Sequence, residues 1–437
     1  MSLLRLAGFD AVRVSSLWLG GQTAPTESEL AALKNVAAAA SLSGVRVYVA
    51  VYNAGSKTTP LAPESRAQFA KYAAALATAI PGVRDVIVGN EPNLDRSWLP
   101  QFGLDGSDAA APAYLALLAE TYDALKAVSK EIRVYGGALA PRGADAPGIG
   151  RNTHSPTAFL RDLGAAYRAS GRTAPVMDAL SMHPYGDSSS VSPDVLHPLS
   201  NTIGIADYAK LVALLGTAFD GTGQPGSALP ILYDGYGVET RVPAAKSKLY
   251  AGAEPAATKP VDEATQTAYY RRSLELAFCQ PTVTGVLLLH AQDDPSLTAW
   301  QSGVMYVDGT PKTSLAPVRK ALAATRGGSI SRCPGLALAV RPLTLRFPFG
   351  SGLKAPALSF RIRCDLDCVY RARLVKLPRG TTTLAANGRA AAGVETRALL
   401  PKRKVAPGRY RIVVTLSHPV NPGLPLVRTS TPFRLPG

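Results

Sequence analysis

Seven short apolar runs recur along the first three quarters of the chain, and longer Ala- and Leu-rich stretches with helical periodicity separate them. Strand-length runs that alternate with helix-length stretches are typical of βα units, because consecutive parallel strands need a long crossover connection. The runs occupy residues 11–18, 45–53, 83–93, 132–142, 177–186, 230–239 and 285–294. Seven strands are one short of a closed eight-stranded barrel. We therefore predict an α/β fold, a (β/α)8 TIM barrel with one strand missing.

The pattern changes at "RGGSISRCPG", a Gly- and Ser-containing stretch that we interpret as a linker over 326–335. Beyond it, short runs alternate apolar and polar residues and are separated by turn signals such as "PRG" and "APG". This pattern favours a small antiparallel β-sandwich. We predict a barrel domain over 1–325 and a sandwich domain over 336–437.

The net charge of +16 is concentrated in the second predicted domain, where 18 Lys and Arg face 3 Asp and Glu. No nucleic-acid motif or set of interleaved aromatics accompanies this charge, so we expect no nucleic-acid partner. No apolar window is long enough to span a membrane. We expect the basic domain to contact an anionic cell wall or polysaccharide, with a merely solvated charged surface as the alternative.

The four cysteines, Cys279, Cys333, Cys364 and Cys368, lack the spacing of a metal site. We expect two disulfides, Cys279–Cys333 and Cys364–Cys368, with four reduced thiols as the alternative. Disulfides imply an exported protein. The first residues do not have the zones of a signal peptide, so we expect a secreted protein whose signal peptide is absent from this chain.

Polar and aromatic residues follow the predicted strands at their carboxyl ends, where βα barrels hold their chemistry. Such residues suit a hydroxyl-rich ligand, since a sugar offers hydroxyls to polar groups and C–H faces to aromatic rings. They are Arg13, Trp18, Asn53, Asn90, Glu91, Arg142, His183, Tyr185, Asp234, Tyr236, Glu239, His290, Gln292 and Asp293, and Trp300 in the last loop. The alternative for Trp18, Tyr185, Tyr236 and Trp300 is that they are core aromatics. Carboxylates and histidines are scattered over separate strands, so we expect neither a metal nor a cofactor.

Four motifs in order resemble the clan A retaining glycoside hydrolases, in particular the cellulase-like family 5 and family 39. "FDAVRV" is similar to their second strand, "IVGNEPN" to the fourth, "SMHPYG" to the sixth, and "GVMYVDGTPKTS" to the segment after the eighth. The resemblance covers about the first 325 residues. It implies that the barrel lacks its first strand, because Arg13, Glu91 and Gly235 then belong to strands 2, 4 and 7. It implies that Glu91 is the general acid/base, that Asn90 holds the substrate 2-hydroxyl, and that Arg13, His183 and Tyr185 lie beside the catalytic pair. His290 and Gln292 stand where many relatives have a tryptophan.

The seventh-strand motif departs from the family at its nucleophile. Laid onto "LYDGYGV", the family's glutamate falls on Gly235, and Tyr236 and Gly237 then match. Double displacement needs two carboxyls about 5–5.5 Å apart. We therefore expect a Glu-to-Gly nucleophile variant, with a small cavity at residue 235, that is inactive in hydrolysis or glycosynthase-like.

Three alternatives to this interpretation of Gly235 stay open. Asp234 could act after a register shift, although strand alternation turns it to the opposite face. Glu239 could reach in from the following loop. A natural glycine would make the chain a catalytically dead carbohydrate-binding pseudoenzyme.

Overall fold

The computed structural model describes residues 1–148, 151–326, 358–363, 368–391, 394–401, 405–417 and 426–435. The chain divides into two compact units, Met1–Cys333 and Pro334–Gly437. The described residues of each unit form a hydrophobic cluster of their own.

Seven parallel strands form the sheet of the first unit, and they follow each other in the sheet as they do in the chain. They are β1 (Ala11–Trp18), β2 (Arg46–Asn53), β3 (Asp85–Val88), β4 (Arg133–Leu139), β5 (Ala179–Met182), β6 (Ile231–Tyr236) and β7 (Val283–Leu288). Side chains from β2 through β6 meet in one buried cluster that includes Tyr48, Ile87, Tyr135 and Leu232. Five neighbouring strands can share one cluster only because the sheet curls around it.

In the described residues, eight α-helices accompany these strands: α1 (Ser2–Leu6), α2 (Glu27–Ser43), α3 (Pro63–Ala79), α4 (Ala110–Val128), α5 (Pro156–Ala169), α6 (Tyr208–Phe219), α7 (Glu263–Phe278) and α8 (Leu315–Arg326). Local signals set their ends. The Thr26 hydroxyl accepts the Glu29 N–H at the start of α2, and Gly44, at a φ of 62°, ends that helix. None of the described helices is both long and apolar enough to cross a membrane.

The sheet is open between β1 and β7, which are its two edges. Every residue of β3, β5 and β6 is buried, whereas most residues of β1 and β7 are half-buried or exposed. Residues of both edge strands line a cavity of about 150 Å³. The described residues contain no eighth strand in this sheet, so the predicted barrel without its first strand is confirmed as a curled half-barrel.

The described part of the second unit consists of antiparallel β-strands. Its strands are β8 (Ser359–Arg363), β9 (Cys368–Lys376), β10 (Thr381–Ala390), β11 (Glu395–Leu399), β12 (Gly408–Ser417), β13 (Leu426–Thr429) and β14 (Phe433–Leu435). One sheet has the order β10-β9-β12-β13, with β14 also on β12, and β11 pairs with β8 in a second sheet. Residues of both sheets, among them Phe360, Ala398, Leu374 and Ile412, share one core. The predicted small β domain is confirmed.

Two of the four cysteines fall outside the described residues. Cys279 is buried at the end of α7, and Cys368 is buried at the start of β9. Their expected partners, Cys333 and Cys364, are not among the described residues, so both disulfides remain predictions. The predicted linker beyond Arg326 also lies outside them.

Candidate active site

Glu91 lies just beyond the carboxyl end of β3, in a strained backbone conformation that contacts with neighbouring residues hold in place. Gly89 has a φ of 90°, and a Cβ there would lie 2.9 Å from the ring of Tyr114. Glu91 itself has a φ of 49°, which is rare for a residue with a side chain. Its N–H donates to the carbonyl of Ala138 at 2.9 Å and holds this conformation. Backbone strain of this kind persists where the surroundings fix it and is frequent at functional sites.

A buried chain of charged groups runs from Glu91 through His183 to Asp234. His183 Nδ1 lies 3.0 Å from Glu91 Oε1, and His183 Nε2 lies 3.1 Å from Asp234 Oδ1. Arg13 Nε lies 3.4 Å from Asp234 Oδ2, and the same guanidinium donates to Asn90 Oδ1 at 2.9 Å. The segments that follow β3 and β5 bring Asn90, Glu91 and His183 to the same end of the sheet, because parallel strands end on the same side. Arg13 of β1 and Asp234 of β6 reach this group from within their strands.

The charges in this chain stabilise one another. Burial opposes ionisation of Glu91, but the hydrogen bond and charge of His183 and the charge of Arg96 outweigh it and lower the pKa of Glu91 to about 2. Burial likewise disfavours charged His183, yet Asp234 and Glu91 raise the pKa of His183 to about 9. Against its own burial, the pKa of Asp234 is lowered by His183 and Arg13. At neutral pH the cluster therefore holds a cationic imidazole between two carboxylates.

Arg96 contacts Glu91, and the sequence did not predict this contact. Its guanidinium bonds Glu91 Oε2 from the loop after β3, five residues further on. The Arg96 side chain is 70% exposed, whereas that of Glu91 is 6% exposed. A loop residue has no periodicity to reveal it, so no pattern in the sequence pointed to Arg96.

Gly235 faces the same cluster as Glu91, but the space beside it is filled. A Cβ on Gly235 would lie 3.2 Å from His183 Cδ2 and 2.5 Å from Tyr185 Oη. The expected cavity at residue 235 is therefore wrong, because the Tyr185 hydroxyl occupies that place. A side chain at 235 requires this hydroxyl to shift.

Asp234 also faces His183, contrary to the expectation from strand alternation. The pairing of β6 with β7 has a register irregularity between Tyr233 and Tyr236, which breaks the alternation of side chains. Asp234 lies behind His183, is fully buried, and contacts Arg13. It is therefore placed to hold His183 charged.

Glu91 opens onto a cavity of about 700 Å³. Its wall includes Tyr185 and Trp300, whose ring centroids are 5.1 Å apart at an interplanar angle of 32°. Polar and charged residues make up about half of the lining: Asp95, Arg96, Arg142, Arg151, Thr153, Asp187, Ser188, Ser189, Glu239 and Thr258. A concave site with an aromatic wall and many polar groups fits a sugar.

Glu239 is a second buried carboxyl on this cavity, four residues beyond Gly235. Its Oε2 accepts the Gln301 N–H at 3.2 Å, and its own N–H donates to Ser189 Oγ at 3.0 Å. The pKa of Glu239 is raised to about 7, mainly by burial. The nearby Glu254 and Asp293 carboxyls raise the pKa further, whereas the hydrogen bond from the Gln301 N–H lowers it. Glu239 can therefore carry a proton near neutral pH where Glu91 cannot.

Several predicted sugar contacts have structural partners instead. Trp18 is buried against Phe69, with ring centroids 5.6 Å apart, and Tyr236 is buried against Tyr270 at 6.1 Å. Asn53 donates to the carbonyls of Gly55 and Ser97. None of Trp18, Asn53 and Tyr236 lines the 700 Å³ cavity.

The residues at the end of β7 lie apart from Glu91's cavity. His290 lines the smaller cavity between the sheet edges, and its Nδ1 lies 3.2 Å from the Trp300 carbonyl. Gln292 is exposed and bonds the Val307 carbonyl. Neither residue contributes to the larger cavity, although the Trp300 ring does.

A buried ion pair fixes the segment that follows β7. Lys312 Nζ lies 2.8 Å from Asp293 Oδ1, and both side chains are fully buried. Lys312 also donates to Thr240 and to the Gln301 carbonyl, and Tyr250 donates to Asp293. Since Gln301 contacts Glu239, this pair supports the wall of the cavity. Within the part of the chain that the structure describes, no group of three or more His, Cys, Asp or Glu is arranged to hold a metal.

No protein-family model and no curated protein sequence matches this chain. Solved structures similar to it include the family 39 glycoside hydrolase of Xanthomonas axonopodis pv. citri, with 15% identity over 94% of this chain and 88% of that one and a TM-score of 0.46. A glucosidase from Croceicoccus marinus has 12% identity over 95% and 90%, with a TM-score of 0.48. Bacteroides uniformis β-glucuronidase 2 has 13% identity and a TM-score of 0.44, and this chain matches 42% of its length. These likenesses concern the course of the chain only.

Proposed function

We propose that the first unit is a glycoside hydrolase site that binds its sugar in the 700 Å³ cavity, with Glu91 as acid/base. The observation that carries the proposal is the position of Glu91. It is buried and strained at the carboxyl end of a barrel strand, is bonded to His183, and lies beside the Tyr185–Trp300 wall. The sequence motifs that resemble retaining enzymes agree with this arrangement.

In this chain the site can hold a glycoside but has no carboxylate at residue 235 to attack the anomeric carbon. Double displacement needs one carboxyl to protonate the leaving oxygen and another to form the covalent intermediate. Glu91, with a pKa of about 2, holds no proton at neutral pH. A carboxylate at 235 would place a negative charge near His183 and Glu91 and would raise the pKa of Glu91 toward that of a working acid.

The substitution Gly235→Glu tests this proposal, with Gly235→Gln as the control of similar size but without a nucleophile. On a panel of aryl glycosides we expect Gly235→Glu to raise kcat by about a thousandfold or more, since loss of a catalytic group costs at least that much. Azide or formate should partly rescue the unsubstituted chain by displacing the Tyr185 hydroxyl from the space beside Gly235. Adding Glu91→Gln to Gly235→Glu should remove the gain. A Gly235→Glu protein that binds the glycosides but turns none over contradicts the hydrolase proposal.

One contact favours a second function, a carbohydrate-binding protein without catalysis. Tyr185 Oη already fills the space beside Gly235, as expected of a site adapted to glycine. This alternative predicts that the chain binds glycosides as tightly as a glycoside hydrolase does. It also predicts that Gly235→Glu hydrolyses none of them and that azide gives the unsubstituted chain no activity.

Glu239 offers a separate route to hydrolysis, because it is the buried carboxyl that shares the cavity with Glu91. If the unsubstituted chain hydrolyses a glycoside without azide, Glu239→Gln should abolish that activity. If Glu239 only supports the loop through Gln301, Glu239→Gln should leave the azide-rescued rate unchanged.

Two further parts of the proposal concern the setting of the protein. We propose that it is exported, which the number and positions of its cysteines support. We also propose that its basic C-terminal domain contacts an anionic cell wall or polysaccharide. The charge balance after residue 335 supports that contact.

A further inference from the structure

One face of the larger sheet in the second unit carries a continuous row of arginines. In antiparallel strands successive residues point to opposite faces, and register decides which side chains are neighbours. Ala372, Leu374, Ile412 and Val414 are buried in the core face. The residues between them therefore point away from the core.

The row runs diagonally over four strands. Arg434 on β14 is opposite Arg409 on β12, and Arg411 follows Arg409 on the same face. Arg411 is diagonal to Arg373, because its direct partner on β9 is Val375. Arg371 precedes Arg373 on the same face of β9, and it is diagonal to Arg389 on β10, because its partner there is Asn387. Each step is about 5–8 Å between Cβ atoms, and the row crosses roughly 14 Å of sheet.

Among the described residues of this unit, no acidic side chain lies on the face of these six arginines. All but Arg373, which is half-exposed, are exposed. None of the six has an ion pair or side-chain hydrogen bond among the described residues. Glu395, an acidic residue of the described part of this unit, is on the other sheet and pairs with Arg361. Six adjacent like charges repel one another, so an anion that neutralises several of them is favoured.

The residues between the arginines indicate which anion fits. At the same face the register places small or aliphatic residues, namely Val369, Val375, Ala385, Asn387, Val413 and Thr415. No Phe, Tyr or Trp occupies a described position on it, whereas proteins that bind single-stranded nucleic acid stack bases on aromatic rings. Guanidinium groups bind carboxylates in bidentate geometry. We propose that this arginine row binds a linear polysaccharide that carries carboxylate groups. The inference specifies the residues of the anionic contact proposed above and is independent of catalysis in the first unit.

The test uses the full chain and three probes: polygalacturonate, uncharged dextran, and oligothymidylate. Arg371→Glu/Arg373→Glu/Arg411→Glu is compared with Arg379→Glu/Arg397→Glu/Arg428→Glu, a control that makes the same change in net charge in the same unit but outside the row. We expect the unsubstituted chain to bind polygalacturonate, to lose affinity as salt rises, and to ignore dextran. The row variant should lose more than about tenfold in affinity, and the control variant less than about threefold.

Equal losses in the two variants would show that net charge alone causes binding and would overturn the proposal. Oligothymidylate bound as tightly as polygalacturonate, with the same dependence on the row, would overturn the assignment to a polysaccharide. If the triple variant does not fold, Gln replaces Glu at the same three positions, and the same comparison applies. The row variant and the control variant should bind aryl glycosides like the unsubstituted chain, because neither changes a residue of the first unit, so failure of the hydrolase proposal and failure of this one are distinguishable.

Discussion

The hydroxyl of Tyr185 lies 2.5 Å from the place where a Cβ on Gly235 would stand. Because of this contact, the space beside Gly235 cannot accept a carboxylate side chain unless Tyr185 moves. Tyr185 is half-exposed on the cavity wall, so its ring has room to move toward solvent. A glutamate introduced at 235 therefore clashes with the Tyr185 hydroxyl. A movement of the Tyr185 side chain toward solvent relieves this clash.

Trp300 is expected to supply part of the sugar affinity. Its ring stacks near that of Tyr185 on the cavity wall and offers a flat apolar face. Trp300→Ala should weaken glycoside binding by about 1–1.5 kcal/mol, roughly tenfold. Calorimetric titration measures this, with Tyr122→Ala on helix α4 as an aromatic control away from the cavity. Unchanged affinity in Trp300→Ala would mean that the ring is only core packing.

The pH dependence of stability should report His183. Because Asp234 and Glu91 raise its pKa in the folded protein to about 9, the protonated imidazole stabilises the fold. That contribution is full below the unfolded pKa of about 6.5 and is lost as pH rises through 9. Thermal unfolding should therefore show a falling Tm between pH 6.5 and 9 that is much weaker in His183→Gln. If Tm falls equally with pH in the two proteins, His183 is not a protonated group that stabilises the fold between Glu91 and Asp234.

The buried pair of Lys312 and Asp293 should be costly to break on one side. Lys312→Met leaves a fully buried carboxylate without its cation and should lower the free energy of unfolding by about 3–5 kcal/mol. The double substitution Lys312→Met/Asp293→Leu should cost less than the single one, since no charge is then left unpaired. Urea unfolding measures both. If Lys312→Met is as stable as the double variant, or more stable, the role assigned to this pair is wrong.

The cysteine pairing gives a direct test of the proposed export. Thiol titration of the denatured, unreduced protein should find no free thiol, and peptide mapping should recover Cys279 with Cys333 and Cys364 with Cys368. Four reactive thiols in a protein secreted by its host would contradict the pairing.

Strand order and helix positions followed from the sequence because hydrophobic periodicity is a local property. The run at 11–18 matches β1 at both ends, and the run at 45–53 starts one residue before β2 and ends with it. Face assignment was harder. Trp18 lies an odd number of residues from Arg13, so alternation alone puts its ring on the opposite face, among the helices. That signal was present in the sequence.

The contacts of residues 234–236 could not be read from the same rule. The register irregularity between β6 and β7 turns both Asp234 and Gly235 toward His183 and leaves Tyr236 against Tyr270. Likewise, Arg96 and Lys312 reach Glu91 and Asp293 from irregular segments. Such contacts depend on tertiary structure, which a one-dimensional pattern does not contain.

A crystal structure of the chain with an aryl glycoside bound tests the central claim most directly. We expect the sugar to lie in the 700 Å³ cavity against Trp300, with its glycosidic oxygen next to the Glu91 carboxyl and its anomeric carbon facing Gly235. A glycoside bound elsewhere, or one whose anomeric carbon points away from both residues, would contradict the assignment of Glu91 and Gly235 to one catalytic centre.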